Sequence, residues 1–497
     1  MQEATSDPPP SSAQPSSAGA PRDSERASNS ARGAGVRNAK LLARQKLLSS
    51  VNAKAPEFGK VEHVETLPFG PNLRVERFRF SNGLQLLLCE DHSAPVLAYH
   101  TWYRVGSRHE RVGKTGLAHL FEHLMFNEVE GRPAGEFDRL LEEAGSEVNA
   151  STWLDWTQYN AATPRDQLGL VVQLESERMS KLVLREPQVT SEKEVVANER
   201  RYRVEDDVEG SVSELLWATA YKEHAYRWPT IGWMEDIQNF TTADCEEFYK
   251  TYYAPNNATI VVVGDVTESQ LLPKLSRCYG VIAPSVIPLE DVRPEPPQLE
   301  ERRCEVQKPT STEKLVMGYH APALGDYDHG ILSLLIEVLF GGRASRLHQL
   351  LVRELELVSE VRAFIGPFKD PGLVEIFASC REGHRAEEIL ERIDAELTRV
   401  MEQPIAEEEI ERGRTRFELS LLSGLDTMDG KASTLGFYDA VLGTPNVAFE
   451  RLELIRRTGA SELRRVARKY FDKRARSIIF VRPAPEGSNS SPAGDAT

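Results

Sequence analysis

The chain has 497 residues, 40% hydrophobic and 27% charged, a globular composition long enough for roughly two to four domains. Its formal charge of −16 provides no global basic footprint of the kind nucleic-acid binding draws on when it releases counterions. No run approaches the roughly 18–20 apolar residues that span a bilayer, and the five scattered cysteines (Cys89, Cys245, Cys278, Cys304, Cys380) lack CxxC spacing and read as buried thiols rather than a disulfide framework or a cysteine zinc site.

Residues 1–35, rich in Pro, Ser and Ala with almost no large apolar side chains, are expected to be a disordered tail. Such a tail suits a linker ahead of a cytosolic protein. It equally suits the spacer behind a removed export signal or lipid anchor, with a periplasmic or envelope location, and no apolar signal core opens the chain as written. Regular structure is expected from about Val75, where Asn82-Gly83 between two β-rich runs signals a hairpin. "PVLAYHTWYRVGS" reads as the next strand, followed by helices at 116–126, 135–144 and 165–183 and then an acidic helix, "TSEKEVVANERRYRVE", entered by Thr190 or Ser191 as cap. "NATIVVVGDV" (257–266) reads as a buried strand, and the Pro-rich stretch 284–300 as a linker.

Beyond the linker the order strand, polar loop, apolar helix returns at 314–342, and "LLIEVLF" can be laid on "HLFEHLMF". Glu337 then matches Glu122, while Leu334 and Val338 stand where His119 and His123 do. This predicts an α+β protein of two homologous domains, each a mostly antiparallel sheet packed with helices: 70–283, a linker at 284–305, then 306–482. A second tail is expected at 483–497.

The first copy's histidines carry the chemistry. On a helix at 100° per residue, Leu117, Leu120, Phe121 and Leu124 share one face and His119, Glu122 and His123 the opposite one. Histidines at i and i+4 can bind one cation, and HxxEH inverts the zinc signature HExxH. Two imidazoles and one carboxylate leave a catalytic zinc an open position for water, with Glu122 as the general base. Two histidines in a domain contact, or a merely solvated polar face, would give the same five residues. In the acidic helix, Glu199 lies two turns beyond Glu192 on one face. One can bind metal while the other supports it, and an ordinary charged helix surface has the same spacing.

These residues together resemble the pitrilysin/insulinase zinc metallopeptidases (inverzincins), in the two-domain branch that includes the mitochondrial processing peptidase and bacterial relatives. The resemblance spans about 70–480. It implies one Zn2+ held by His119, His123 and Glu199, Glu122 activating water, and Glu192 supporting the site. It places Asn149 and Ala150, in "GSEVNASTWLDWTQYNAATP", on a strand that holds the substrate backbone. Extended, short or unfolded polypeptides cleaved in a chamber are the implied substrates. One departure stands out: Arg353 matches a substrate-contacting Arg of the second domain, but Ser359 or Glu360 stands where a Tyr is expected. The family pattern then implies either a self-sufficient homodimer or a zinc-bearing subunit completed by a related chain. The rival readings are a non-catalytic, peptidase-like scaffold and a structural zinc with a closed four-ligand site.

Overall fold

The computed structural model describes residues 39–290 and 293–485, so the tails expected at 1–35 and 483–497 lie outside the described residues, apart from 483–485. Helix α1 (39–52) belongs to a unit of its own ending at Ala53, and the second unit runs from Lys54.

The second unit holds two sheets. The first comprises β1 (Val61–Phe69), β2 (Leu73–Phe80), β3 (Gln85–Glu90), β4 (Val96–Tyr103), β5 (Glu147–Thr152), β6 (Thr157–Pro164) and β7 (Ala258–Gly264), in the order β1-β2-β3-β7-β4-β6-β5. The second comprises β8 (Arg302–Lys308), β9 (Lys314–His320), β10 (Val358–Ile365), β11 (Leu373–Cys380) and β12 (Arg476–Pro483), in the order β10-β11-β9-β12-β8. Without the β1–β2 strands the first sheet reads β3-β7-β4-β6-β5, the same path as β8-β12-β9-β11-β10. The match extends to direction: β3 and β7 run parallel, as do β8 and β12, and the other pairs are antiparallel. The expected repeat of two mostly antiparallel sheets is therefore present in the topology. The Asn82-Gly83 turn joins β2 to β3, with Gly83 at φ +88° where an L side chain is strained.

Helices of the first half are α2 (Leu117–Leu124), α3 (Glu136–Glu143), α4 (Leu168–Lys181), α5 (Glu186–Arg200), α6 (Val208–Ala220), α7 (Met234–Asn239), α8 (Thr242–Tyr252) and α9 (Glu268–Tyr279). Those of the second are α10 (Tyr327–Phe340), α11 (Ala386–Glu402), α12 (Glu407–Gly424), α13 (Met428–Leu442), α14 (Val447–Arg457) and α15 (Ala460–Tyr470). The acidic helix starts earlier than Thr190. Its first turn contains Pro187, which fits there because the first backbone N–H groups of a helix have no intrahelical partner anyway, and Thr190 and Ser191 lie inside it.

The halves exchange helices. Val212, Leu216 and Ala220 of α6 pack on Val316, Phe377, Ile479 and Val481 of the second sheet. Met428, Ala432 and Leu435 of α13 pack on Ala98, Trp102, Val261 and Val263 of the first. Polar groups mark both contacts: His100 Nε2 of β4 lies 2.8 Å from Asp429 Oδ1, and Ser213 of α6 faces Glu375 of β11. A division at the Pro-rich segment follows the sequence repeat, whereas each sheet is covered partly by the other half. None of the described helices is long and apolar enough to cross a membrane.

Candidate metal centre

Helix α2 has only eight residues and no side-chain cap of its own. The buried Glu110 compensates, its two carboxylate oxygens accepting the Gly116 and Ala118 N–H groups at 2.7 Å each. Gly116 is required at the entry: its φ is +96°, and a Cβ there would lie 2.5 Å from the Ile231 carbonyl oxygen. Leu117, Leu120, Phe121 and Leu124 are buried, as their shared face predicts. Phe121 stacks near Phe248, Tyr249 and Tyr253, and Tyr159 Oη donates to its carbonyl at 2.9 Å. The apolar face thus fixes which way the polar one points.

That polar face meets α5. His119 Nε2 lies 3.6 Å from Glu199 Oε2, and His123 Nε2 lies 3.4 Å from the same oxygen. One donor atom from each of these three residues falls within 4.8 Å of the other two. Glu192 approaches from the other side, its Oε2 3.7 Å from His123 Nδ1. Spacing alone left Glu192 and Glu199 interchangeable; the geometry brings Glu199 to both imidazoles and Glu192 to one.

The donor set fits a zinc ion. Glu199 Oε2 is buried without a hydrogen-bond partner, and ligand atoms around a tetrahedral ion with bonds of ~2.1 Å stand roughly 3.4 Å apart. Burial pushes the His119 imidazolium pKa down to about 4, against the pull of Glu199, which keeps the ring neutral as a ligand must be. Burial also disfavours charge on His123, but the carboxylates of Glu199, Glu192 and Glu122 outweigh it and raise its pKa. Contact with His123 holds Glu199 below the usual carboxylate range. Glu122 moves the other way: burial raises it, opposed by Thr152 and by His123.

Two neighbours escaped the sequence reading. Asn127 Nδ2 donates to Glu192 Oε1 at 2.9 Å, and Arg203 Nη1 pairs with Glu199 Oε1 at 3.0 Å. Asn127 continues the four-residue spacing of His119 and His123, which is the signal that could have found it. Arg203 sits on a π-helical turn, Arg201–Glu205, that prolongs α5, and π turns have no short sequence signature.

Strand β5, which carries Asn149 and Ala150, lies at the outer edge of its sheet beside α2 and, among the described residues, pairs only with β6. Asn149 is exposed and its Oδ1 accepts the Ala150 N–H at 2.9 Å. Arg353 is not drawn into the cluster. It lies exposed on a second π-helical turn, His348–Glu354, and among the described residues it has no hydrogen bond or ion pair. Ser359 and Glu360 are on β10, the strand that corresponds to β5 in the second sheet.

Residues 86–232 match the family model described as Insulinase (Peptidase family M16), and residues 239–417 match that described as Peptidase M16 inactive domain. The zinc protease PqqE of Helicobacter pylori is 30% identical over 416 residues, 82% of this chain and 93% of that one. The chain belongs to the M16 peptidase family. A crystal structure of a protease from Helicobacter pylori, 29% identical, superposes with a TM-score of 0.78 over 85% of this chain and 99% of its own. The crystal structure of a peptidase M16 inactive domain from Pseudomonas fluorescens has a TM-score of 0.74 at 18% identity, covers 83% of this chain and 98% of its own, and shares the fold. The zinc-protease name also belongs to a Bacillus subtilis relative, YmxG, 23% identical over 80% of this chain and 96% of its own. His119, Glu122, His123, Glu192 and Glu199 lie inside the first M16 match; the match described as inactive begins after them.

Proposed function

We propose that the chain is a zinc-dependent endopeptidase of extended polypeptides, with His119, His123 and Glu199 as metal ligands. The observation that carries this is the buried, unpartnered Glu199 Oε2 facing two imidazole nitrogens at 3.4 and 3.6 Å, with Glu122 on the same helix face. A zinc ion held there supplies Lewis-acid polarisation of the scissile carbonyl and lowers the pKa of a water towards roughly 7. Glu122 takes the attacking water's proton at its carboxylate and returns it to the leaving amine nitrogen. Its raised proton affinity suits a group that must both accept and release. Glu192 steadies His123 through Nδ1. The substrate lies along the free edge of β5 past Asn149 and Ala150, where main-chain hydrogen bonds bind without reading sequence.

The test is cleavage of a quenched fluorescent peptide library by the purified chain, with zinc quantified on the same sample. Glu122→Gln is expected to keep its zinc and lose on the order of 10²-fold or more in kcat; hydrolysis at the original rate in metal-replete Glu122→Gln overturns the assignment. Stoichiometric zinc without hydrolysis by the original chain supports instead a subunit completed by a related chain, the reading that the exposed Arg353 and the missing Tyr at 359–360 favour.

A further inference from the structure

We infer that Asn127 is a positioning residue for the metal centre, acting through Glu192; this rests on the zinc-site reading above. Helix α2 ends at Leu124, but the chain keeps turning. Phe126 N–H donates to His123 O at 3.1 Å and Asn127 N–H to Leu124 O at 3.0 Å, so Asn127 continues the side that carries His119 and His123. From there its Nδ2 donates to Glu192 Oε1 at 2.9 Å. The other oxygen of that carboxylate faces His123 Nδ1 at 3.7 Å, and His123 Nε2 faces Glu199 at 3.4 Å. The four residues line up as amide, carboxylate, imidazole and carboxylate, joined by one hydrogen bond from Asn127 to Glu192 and then by approaches of 3.7 and 3.4 Å.

The physical requirement is orientation. A metal-ligating imidazole almost always has its second nitrogen held by a carboxylate, carbonyl or water, which sets the ring plane and tautomer; His119 Nδ1 is buried with no hydrogen-bond partner, so at this site Glu192 can do this only for His123. Glu192 supplies that carboxylate from a different helix, on a side chain with three rotatable bonds and access to solvent. An untethered Glu192 spends part of its time swung into water. One hydrogen bond from the Asn127 amide to Oε1 leaves Oε2 directed at His123.

The second copy serves as the control. Residue 342 stands eight after Leu334, as Asn127 stands eight after His119, and it is Gly342 at φ +73°. Where Leu and Val stand in the histidine positions, the residue at this place, two past the end of α10, has no side chain, and the amide is absent along with the histidines it would serve.

The experiment is a chelator competition measuring zinc affinity in the full-length chain, in Asn127→Ala, in Glu192→Ala and in the double variant. We expect Asn127→Ala to weaken zinc binding about 10-fold, Glu192→Ala to weaken it at least as much, and the double variant to bind no more weakly than Glu192→Ala. Asn127→Asp keeps the shape but sets a carboxylate against Glu192, and should weaken binding at least as much as Asn127→Ala with an unchanged far-UV spectrum. Unchanged affinity in both Asn127 variants overturns the inference. So does an equal Asn127→Ala loss with and without Glu192, which would mean that Asn127 acts by another route. If the unmodified chain takes up no zinc, the zinc-site reading itself falls, and this inference with it.

Discussion

The two sheets follow the same five-strand path, yet the helix that follows β4 and the one that follows β9 meet very different partners. In the second half, Leu334 and Val338 of α10 press on Gly413 of α12, so tightly that a Cβ added there would lie 3.0 and 3.1 Å from their side chains. In the first half, His119 and His123 of α2 face Glu199 of α5 across a gap that holds a buried carboxylate oxygen with no hydrogen-bond partner. The second half shows that this helix pair can close on apolar side chains, so the polar gap is not a requirement of packing. The paired glutamates make the same point. Glu337 is ion-paired with Arg416, whereas Glu122 has no Lys or Arg partner among the described residues and its proton affinity is raised by burial.

The largest expected effect comes from making the first half resemble the second. His119→Leu combined with His123→Val should abolish zinc uptake and hydrolysis together. The melting temperature should stay close to that of the zinc-free original chain, because apolar side chains then fill the positions that Leu334 and Val338 fill in the second half. Elemental analysis and a thermal melt check both halves of this expectation. A double variant that keeps zinc and activity would show that the ion sits elsewhere, and the contrast between the copies would lose its meaning.

Much of this contrast is legible in the sequence. The opposed faces of 117–124 follow from helical spacing alone, the hairpin from Asn82-Gly83, and the repeat from order of elements. Other features are not. The β1 strand has only faint alternation, since "VEHVETLPF" is mostly exposed between its buried ends, and period-2 patterning is the main signal a strand gives. Thr190 and Ser191 are good caps and point to a later start for α5, but Pro187 already opens the helix. Helix exchange between the halves leaves no local trace. The apolar faces of α6 and α13 state that they are buried, not which sheet buries them. Glu199 was distinguishable from Glu192 only once α5 was set against α2, because two positions seven residues apart share a face.

The exchanged helices give the next effect. Beneath α6, burial pushes the Glu375 pKa up to about 7, opposed by Trp217 and Ser213. Beneath α13, contact with His100 holds the Asp429 pKa below the usual carboxylate range, against burial. The two contacts should therefore respond oppositely to pH. Glu375 binds its proton more tightly in the folded chain, so its contribution is complete below its unfolded pKa of 4.5 and is lost as pH rises through about 7, a fall of about 3 kcal/mol. Asp429 contributes above its unfolded pKa of 3.8, and that contribution disappears as pH falls through its lower folded value. Urea melts from pH 4 to 8 should show the first slope, and Glu375→Gln should flatten it. A slope unchanged in Glu375→Gln would assign it to another group.

The smallest expected effect probes how tightly the second half is closed. Gly413→Val inserts two methyl groups where a single Cβ already meets Leu334 and Val338 at 3.0 and 3.1 Å. Overpacking of this kind costs about 1–3 kcal/mol. The loss of glycine from a helix interior returns only part of that, because valine is also a modest helix former. The melting temperature should fall while zinc content and peptide hydrolysis at 25 °C remain near their original values. Leu334→Ala in the same chain should recover part of the loss by making room on α10. If Gly413→Val leaves stability unchanged, the helix pair in the second half has slack, and its apolar residues would not show that the first half's gap is there for chemistry.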